Sequence, residues 1–555
     1  MFDTKKCACF HEKLIYFIER IRIPFNIFLF ILFFHSLAVI CKASVNEDIG
    51  VNARAMALGN SVTAYPLGIM SAHYNPAGLI HIDGKNCTFG VTYSAVNIDY
   101  HFLPASEDTN WDFVDDLDGV SSSSHDSTMY LPIYGQSSMM IIPNAGIAKR
   151  AAGSKWAFGY AIYSPFIMGF SNDSDAPTKY GAMTSYNQRL IYAGPSVAYR
   201  VNDTLSCGLS IGLGQGARGL DFTYRQTDFG LDYYDAAFDL VNAVPEFVAD
   251  PAFAVDKFIR DLFQRFETML DLQDPSYSEF SKIEMEDMTD NLTTSFNLGM
   301  LWEPASWFSF GVCYRSKSDA RFSGDYSIQY TDEFKDLINY FATKTPATIW
   351  LGLPIEPVDS QHGVVTQDWT WPESAQFGIM LKPRENLKLM VDLHWTNWSR
   401  VSDETYKFDQ NIQLLQTLIF LGYQKYPDQM IFQRKWKDTW NISLGLEYDI
   451  TDFFCVRLGF EDRESSVEES NFDLMWPIQD SKVYSFGIGM GITDQTSIDL
   501  GFSCMISDDI HIKNNSSKMF NNLFPSQFGY SPYAGQDYKQ DTKTYLFSVN
   551  INYAW

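Results

Sequence analysis

From about residue 87 to the C-terminus, apolar and polar residues alternate with a period of two. Tyr545, Phe547, Val549, Ile551, Tyr553 and Trp555 are apolar, with Ser548, Asn550 and Asn552 between them. Upstream, Ile498, Leu500, Phe502, Cys504 and Ile506 alternate with Ser497, Asp499, Gly501 and Ser503. Successive side chains of a strand face opposite ways, so each stretch presents one apolar and one polar face. Neighbouring stretches are joined by short polar turns, such as Asn202-Asp203, Glu303-Pro304, Pro383-Arg384-Glu385-Asn386, Asp449-Ile450-Thr451-Asp452 and Thr493-Asp494-Gln495-Thr496. Between these hairpins lie long segments, roughly 101–138, 164–186, 223–290, 324–371, 399–436, 464–479 and 514–540. Tight turns at one end and long loops at the other are the pattern of an outer-membrane barrel. The strand count is fourteen, even as such barrels require, and closure hides every strand edge. The expected fold is all-β, a fourteen-stranded antiparallel transmembrane β-barrel over 87–555.

Some segments depart from this pattern. Residues 44–86 are Gly/Ala-rich without strong alternation. Val255, Phe258, Ile259, Leu262, Phe263, Phe266 and Leu270 predict an apolar helix in one loop, and Phe334, Leu337, Ile338 and Phe341 another. Ile412, Leu415, Leu418 and Ile419 repeat the spacing. Water-facing loops have no need of so many large apolar residues. Ile23 to Ile40 is the one long apolar run; with basic residues before it and Ala43 after, it predicts a secretory leader over 1–43. An uncleaved anchor and a lipoprotein through Cys41 are weaker readings.

Composition then narrows the function. There are 67 acidic and 41 basic residues, a net charge of −26, which argues against nucleic-acid binding. Apolar residues at 46% and aromatics at 16% exclude a disordered acidic chain. Cys87, Cys207, Cys313, Cys455 and Cys504 are scattered and odd in number, neither a disulfide framework nor a metal site. Gly208-Leu209-Ser210-Ile211-Gly212 spells a hydrolase nucleophile pattern but lies within a strand, without the sharp turn that chemistry needs. Gly214-Gln215-Gly216-Ala217-Arg218-Gly219 lacks the helix a dinucleotide site requires, and glycines there more simply make room inside a barrel. His73 and His81, and His394 with Asp392, form no metal or base constellation. No cofactor or metal is implied.

Ser164-Pro165 ends the alternating run Trp156, Phe158, Tyr160, Ile162, and Gly169 follows. Proline removes a ladder donor, so either the strand ends there or the wall kinks and opens.

Several short motifs, in order, resemble the long-chain fatty-acid outer-membrane transporters, the FadL family, which also takes in hydrocarbon-uptake channels. They are Asn75-Pro76-Ala77, Tyr314-Arg315-Ser316, Thr396-Asn397-Trp398-Ser399, Lys437-Asp438 and the closing Asn552-Tyr553-Ala554-Trp555. The resemblance implies an N-terminal hatch over 44–86, with Asn75, Pro76, Ala77 and Gly78, plugging the barrel. It implies a greasy entry groove, with Phe258, Leu262, Phe266, Phe334 and Ile338 as candidates. It implies lateral release through a kink at Pro165 and Gly169 in strand three. Ser164 and Arg434, through Phe432-Gln433-Arg434, match the family's carboxylate-holding residues, and Arg218 or Arg225 could supply a second cation. The expected partners are a hydrophobic small molecule, outer-membrane lipids, and the barrel-assembly machinery through Trp555. The expected state is a monomer in a Gram-negative outer membrane. Aromatic-hydrocarbon uptake is the nearest alternative, and an outer-membrane lipase or protease the different-class one.

Overall fold

The structure is a computed structural model that describes residues 47–104, 117, 119–132, 134–226, 278–344, 354–420, 425–513, 532–533 and 536–555. The segment expected to be a leader, and Phe258, Leu262 and Phe266 of the expected loop helix, lie outside the described residues.

Fourteen antiparallel strands run in chain order: β1 Gly84–Leu103, β2 Met140–Arg150, β3 Trp156–Ser171, β4 Thr184–Arg200, β5 Leu205–Gln226 and β6 Ser278–Ala305. Four strands with internal breaks follow: β7 (Phe308–Arg315, Ser318–Tyr330), β8 (Ser360–Trp371, Ser374–Arg384), β9 (Leu387–Thr396, Asp403–Phe408) and β10 (Gln429–Gln433, Thr439–Thr451). Then come β11 Phe454–Arg463, β12 Ser481–Gly491, β13 Thr496–Ser507 and β14 Asp537–Ala554. Each pairs with its sequence neighbour, and β1 pairs with β14 from Asn86↔Ala554 to Leu103↔Asp537, closing the ring. The barrel is inside-out relative to a soluble protein. Tyr545, Phe547, Ile551 and Tyr553 of β14 are exposed, while Thr544, Ser548 and Asn550 are buried. The five scattered cysteines are unpaired.

Several expected loops prove to be strand. β5 reaches Gln226 and β6 begins at Ser278, both within 223–290, and β7 to β10 extend into 324–371 and 399–436. Away from the hydrocarbon the outer face no longer has to be apolar, so the alternation fades while the ladder continues. The two apolar patterns within the described residues are helical, at Asp332–Lys344 and Gln413–Phe420.

Residues 49–82 lie inside the ring. Asn52 caps the short helix Ala53–Ala57 through the amides of Arg54 and Ala55. Asn75 likewise accepts from the Ala77 amide and opens the 3₁₀ turn Pro76–His81. Inward-facing glycines make this possible. A Cβ on Gly208 would strike Pro76 and Ala77, one on Gly299 would strike Asn75, one on Gly311 Thr63, and one on Gly459 Gly59. The hydrolase-like glycine pattern thus seats the Asn75-Pro76-Ala77 turn.

The wall is not a uniform ladder. β3 continues through Pro165 to Ser171, so the strand does not end at Ser164. It pairs with β2 only from Arg150↔Ala157 to Ala145↔Ile162. Beyond that point β4 is its one strand partner among the described residues, with register shifts between Ala161 and Phe166 that bracket Pro165. Above the Ala145–Ile162 pair, β2 is held only by β1. The seam between β2 and β3 is filled by side chains instead. Met129 packs with Met140, Ile142 and Ile167, the Thr128 carbonyl lies against Gly169, and Asp126 bridges Ser171.

Replacing Gly208 with Leu is expected to expel the Asn75-Pro76-Ala77 turn while leaving the barrel closed. Limited proteolysis should cut 49–82 in the variant and not in the parent. Equal protection would show that the glycine row is not what seats the segment.

Candidate functional site

The four breaks in β7 to β10, at 316–317, 372–373, 397–402 and 434–438, are adjacent in register. Arg315 pairs with Ser374, Ser374 with Thr396, and Thr396 with Thr439. Side chains satisfy the backbone there. Asp438 accepts from the Ser399 amide and Trp395 Nε1, Ser316 Oγ accepts from the Phe296 amide, and Glu373 accepts from Asn397 and twice from Arg400.

Across the lumen, the N-terminal segment reaches the irregular stretch of β3 around Pro165. The Asp48 amide donates to the Pro165 carbonyl at 3.0 Å, and Glu47 bridges Phe166. Both Asp48 carboxylate oxygens lie 2.7 Å from Arg315, and Oδ1 lies 2.7 Å from His73 Nε2. Burial alone would raise this carboxyl, but Arg315 and His73 hold it well below the usual carboxylate range. Glu47 goes the other way. Burial, with the charge of Asp48 beside it, pushes its carboxyl up to about 7, while Thr396 Oγ1 donates to it at 3.0 Å.

Arg218 of β5 and Arg434 in the break of β10 meet, and they meet on an acid. Arg218 pairs with Glu404 Oε1, Arg434 Nε lies 2.5 Å from Oε2, and Arg434 also pairs with Asp473. Tyr406, Gln367 and Trp476 complete the shell of Glu404 at 2.6, 3.0 and 3.1 Å. Arg218 is capped by the rings of Trp476, Trp369 and Tyr406, at 4.8, 5.2 and 5.7 Å. From this cluster a chain of rings leads to the kink. Trp369 stacks on Trp476, Trp476 meets Trp436, Trp436 meets Trp398, and Trp398 lies 6.0 Å from Phe166. Phe334 and Ile338 belong to the same continuous apolar cluster.

The family model described as outer membrane protein transport protein (OMPP1/FadL/TodX) matches residues 38–555. The chain belongs to this family. It is therefore an outer-membrane channel for hydrophobic substrates and not an enzyme. The long-chain fatty acid transport protein of Salmonella typhi is 23% identical over 460 residues, covering 80% of this chain and 89% of its own. That of Escherichia coli K12 is 22% identical over 471 residues, with the same shares. Among solved structures, a Pseudomonas aeruginosa FadL homologue superposes with a TM-score of 0.63 at 16% identity, covering 92% of this chain and 99% of its own. The Pseudomonas putida toluene transporter TodX superposes with a TM-score of 0.59 at 14% identity, over 92% and 100%.

Within this OMPP1/FadL/TodX chain the expected site residues fall into three places. Ser164 is in the wall, its Oγ donating to the Arg189 carbonyl at 2.6 Å, the position proline disturbs. Arg218 and Arg434 share Glu404. Arg225 is buried with its guanidinium 4.7 Å from the Tyr180 ring. Sequence reasoning missed Glu404, Asp48 and Arg189. Glu404 lies in phase with Tyr406 and Phe408 on an inward face, an acid where an apolar residue belongs, and that was the available signal.

Arg434→Ala would leave Glu404 with one arginine and strip Asp473 of its own. Removing one partner of a buried ion pair costs about 3–5 kcal/mol. The variant should unfold at a lower denaturant concentration than the parent, and an unchanged midpoint would mean the cluster is not holding the wall.

Proposed function

We propose that this chain imports long-chain fatty acids across the outer membrane and releases them sideways at β3. Residues 1–43 act as a secretory leader, 44–86 as a hatch closing the lumen, and 87–555 as the channel. The observation that carries the reading is the set of arginines buried in an aromatic interior. Burying guanidinium groups is costly, and a fatty acid, unlike a pure hydrocarbon, carries a charge that such groups can meet. The fatty-acid transporters at 22–23% identity agree with it. The ring chain from Arg218 to Phe166 offers a greasy track toward the seam between β2 and β3. Lateral exit there spares an acyl tail about 0.8 kcal/mol for every CH₂ that would otherwise meet water. The hatch would move at the Asp48 contacts with Pro165 and Arg315. The chain works as a monomer among outer-membrane lipids, with Trp555 presented to the barrel-assembly machinery.

One observation favours aromatic-hydrocarbon uptake instead: Glu404 already neutralises Arg218 and Arg434, so a neutral ligand could pass with no charge to match. Labelled oleate and labelled toluene uptake, in cells lacking their own transporters and expressing this chain, separates the two. Oleate uptake is expected; toluene uptake without oleate would overturn the fatty-acid reading. Asp48→Ala should raise ion conductance in planar bilayers by loosening the hatch. Unchanged conductance would count against a latch at that residue.

A further inference from the structure

Arg189 of β4 is buried, with 6% of its surface exposed. Its Nε donates to Thr293 Oγ1 at 3.1 Å and its Nη2 to Ser295 Oγ at 2.9 Å. Its guanidinium carbon lies 5.7 Å from the Trp371 ring. Among the described residues it forms no ion pair, in contrast to Arg218, Arg315 and Arg434, each held by a carboxylate. Hydroxyls and a ring orient a guanidinium but leave its charge uncompensated. Arg189 also lines a cavity of about 70 Å³ shared with Pro165, Phe166, Trp371 and Trp398. Trp398 and Phe166, the last rings of the chain, are among the residues lining it. Glu47, His73 and Arg315 face it too. Arg315 and His73 are both engaged by Asp48, and Thr396 donates to Oε2 of Glu47, whose Oε1 is buried without a hydrogen-bond partner among the described residues.

We propose that Arg189, with Thr293 and Ser295 as its positioning residues, binds the carboxylate head of an amphiphilic ligand beside the β3 kink, at a site separate from the Arg218–Glu404–Arg434 cluster. The proposal rests on the fatty-acid reading. It adds where the head group is held when the tail reaches the seam. A guanidinium with a free edge can take a carboxylate through paired N–H donors, which an ammonium cannot reproduce in one plane. Arg218 and Arg434 cannot offer that without giving up Glu404.

The test measures binding of oleate and of oleyl alcohol, of equal chain length, to the purified full-length chain, Arg189→Gln and Arg189→Lys. Resistance of the unheated barrel to SDS confirms that each variant is folded. Arg189→Gln is expected to weaken oleate at least tenfold and oleyl alcohol less than twofold, with Arg189→Lys in between for oleate. Equal oleate affinity in parent and Arg189→Gln would overturn the site and leave the fatty-acid reading standing. Equal loss of both ligands would also overturn it, since Arg189 would then only shape the wall. A parent that binds oleyl alcohol and not oleate would overturn the fatty-acid reading itself, and this site with it.

Discussion

A strand inside a hydrocarbon layer has no water to complete its hydrogen bonds, so a barrel wall must complete its own. Everything distinctive in this channel follows from where the wall fails to do so. Over β11 to β14 the ladder is continuous and the sequence alternates plainly. Between β2 and β3, and at the breaks in β7 to β10, it is not. Other groups must take over there. Ser164 donates to the Arg189 carbonyl, Asp438 and Ser316 accept stranded amides, and Asp48 supplies its own amide to the Pro165 carbonyl. These substitutions are local and specific, which is why they are built from single named side chains and not from a repeating pattern.

The lumen obeys a related constraint. A ring of fourteen strands encloses more space than its own side chains fill, and residues 49–82 occupy part of it. Close seating requires glycine wherever the inner backbone is touched, and it requires charges in balanced groups. Arg54 is held by Glu447, which also takes Lys388 and Arg457, and Arg457 reaches Asp499. The acidic surplus of the chain has little bearing on such clusters, since each is settled among its own members.

Much of the architecture was legible because period two is a strong, repeated signal. Strand number, order and closure come directly from it. The strand ends were less legible: above the membrane both faces of β5, β6 and β7 to β10 meet polar or packed surroundings, and alternation no longer marks the strand. The short motifs carried real information, since Arg315, Trp398 and Lys437 flank or occupy the wall breaks. What sequence spacing could not give is pairing. Arg218 and Glu404 are 186 positions apart, and Arg189 and Ser295 are 106 apart. Only closure of the ring brings them together, so Arg434 could be singled out but its resident partner could not.

The contrast between the two arginine sites then bears on the direction of transport. Arg218 and Arg434 are balanced within the wall, so a tail can lie along Trp369, Trp476 and Trp436 without disturbing any charge. An ionised head brought there would meet Glu404 and Asp473 as well as the two arginines. Arg189 makes no ion pair among the described residues, and its contacts are two hydroxyls and an indole. With the proposed Arg189 site, a ligand with an acidic head and a long apolar tail would lie with its head toward Pro165 and its tail along the rings. That orientation places the end of the molecule that is costliest to desolvate beside the only stretch of the described wall between β2 and β3 that has no ladder to break. Release at this seam would have to part Met129 from Ile167 and free the Asp126–Ser171 bridge, but would break no backbone hydrogen bond between β2 and β3 themselves.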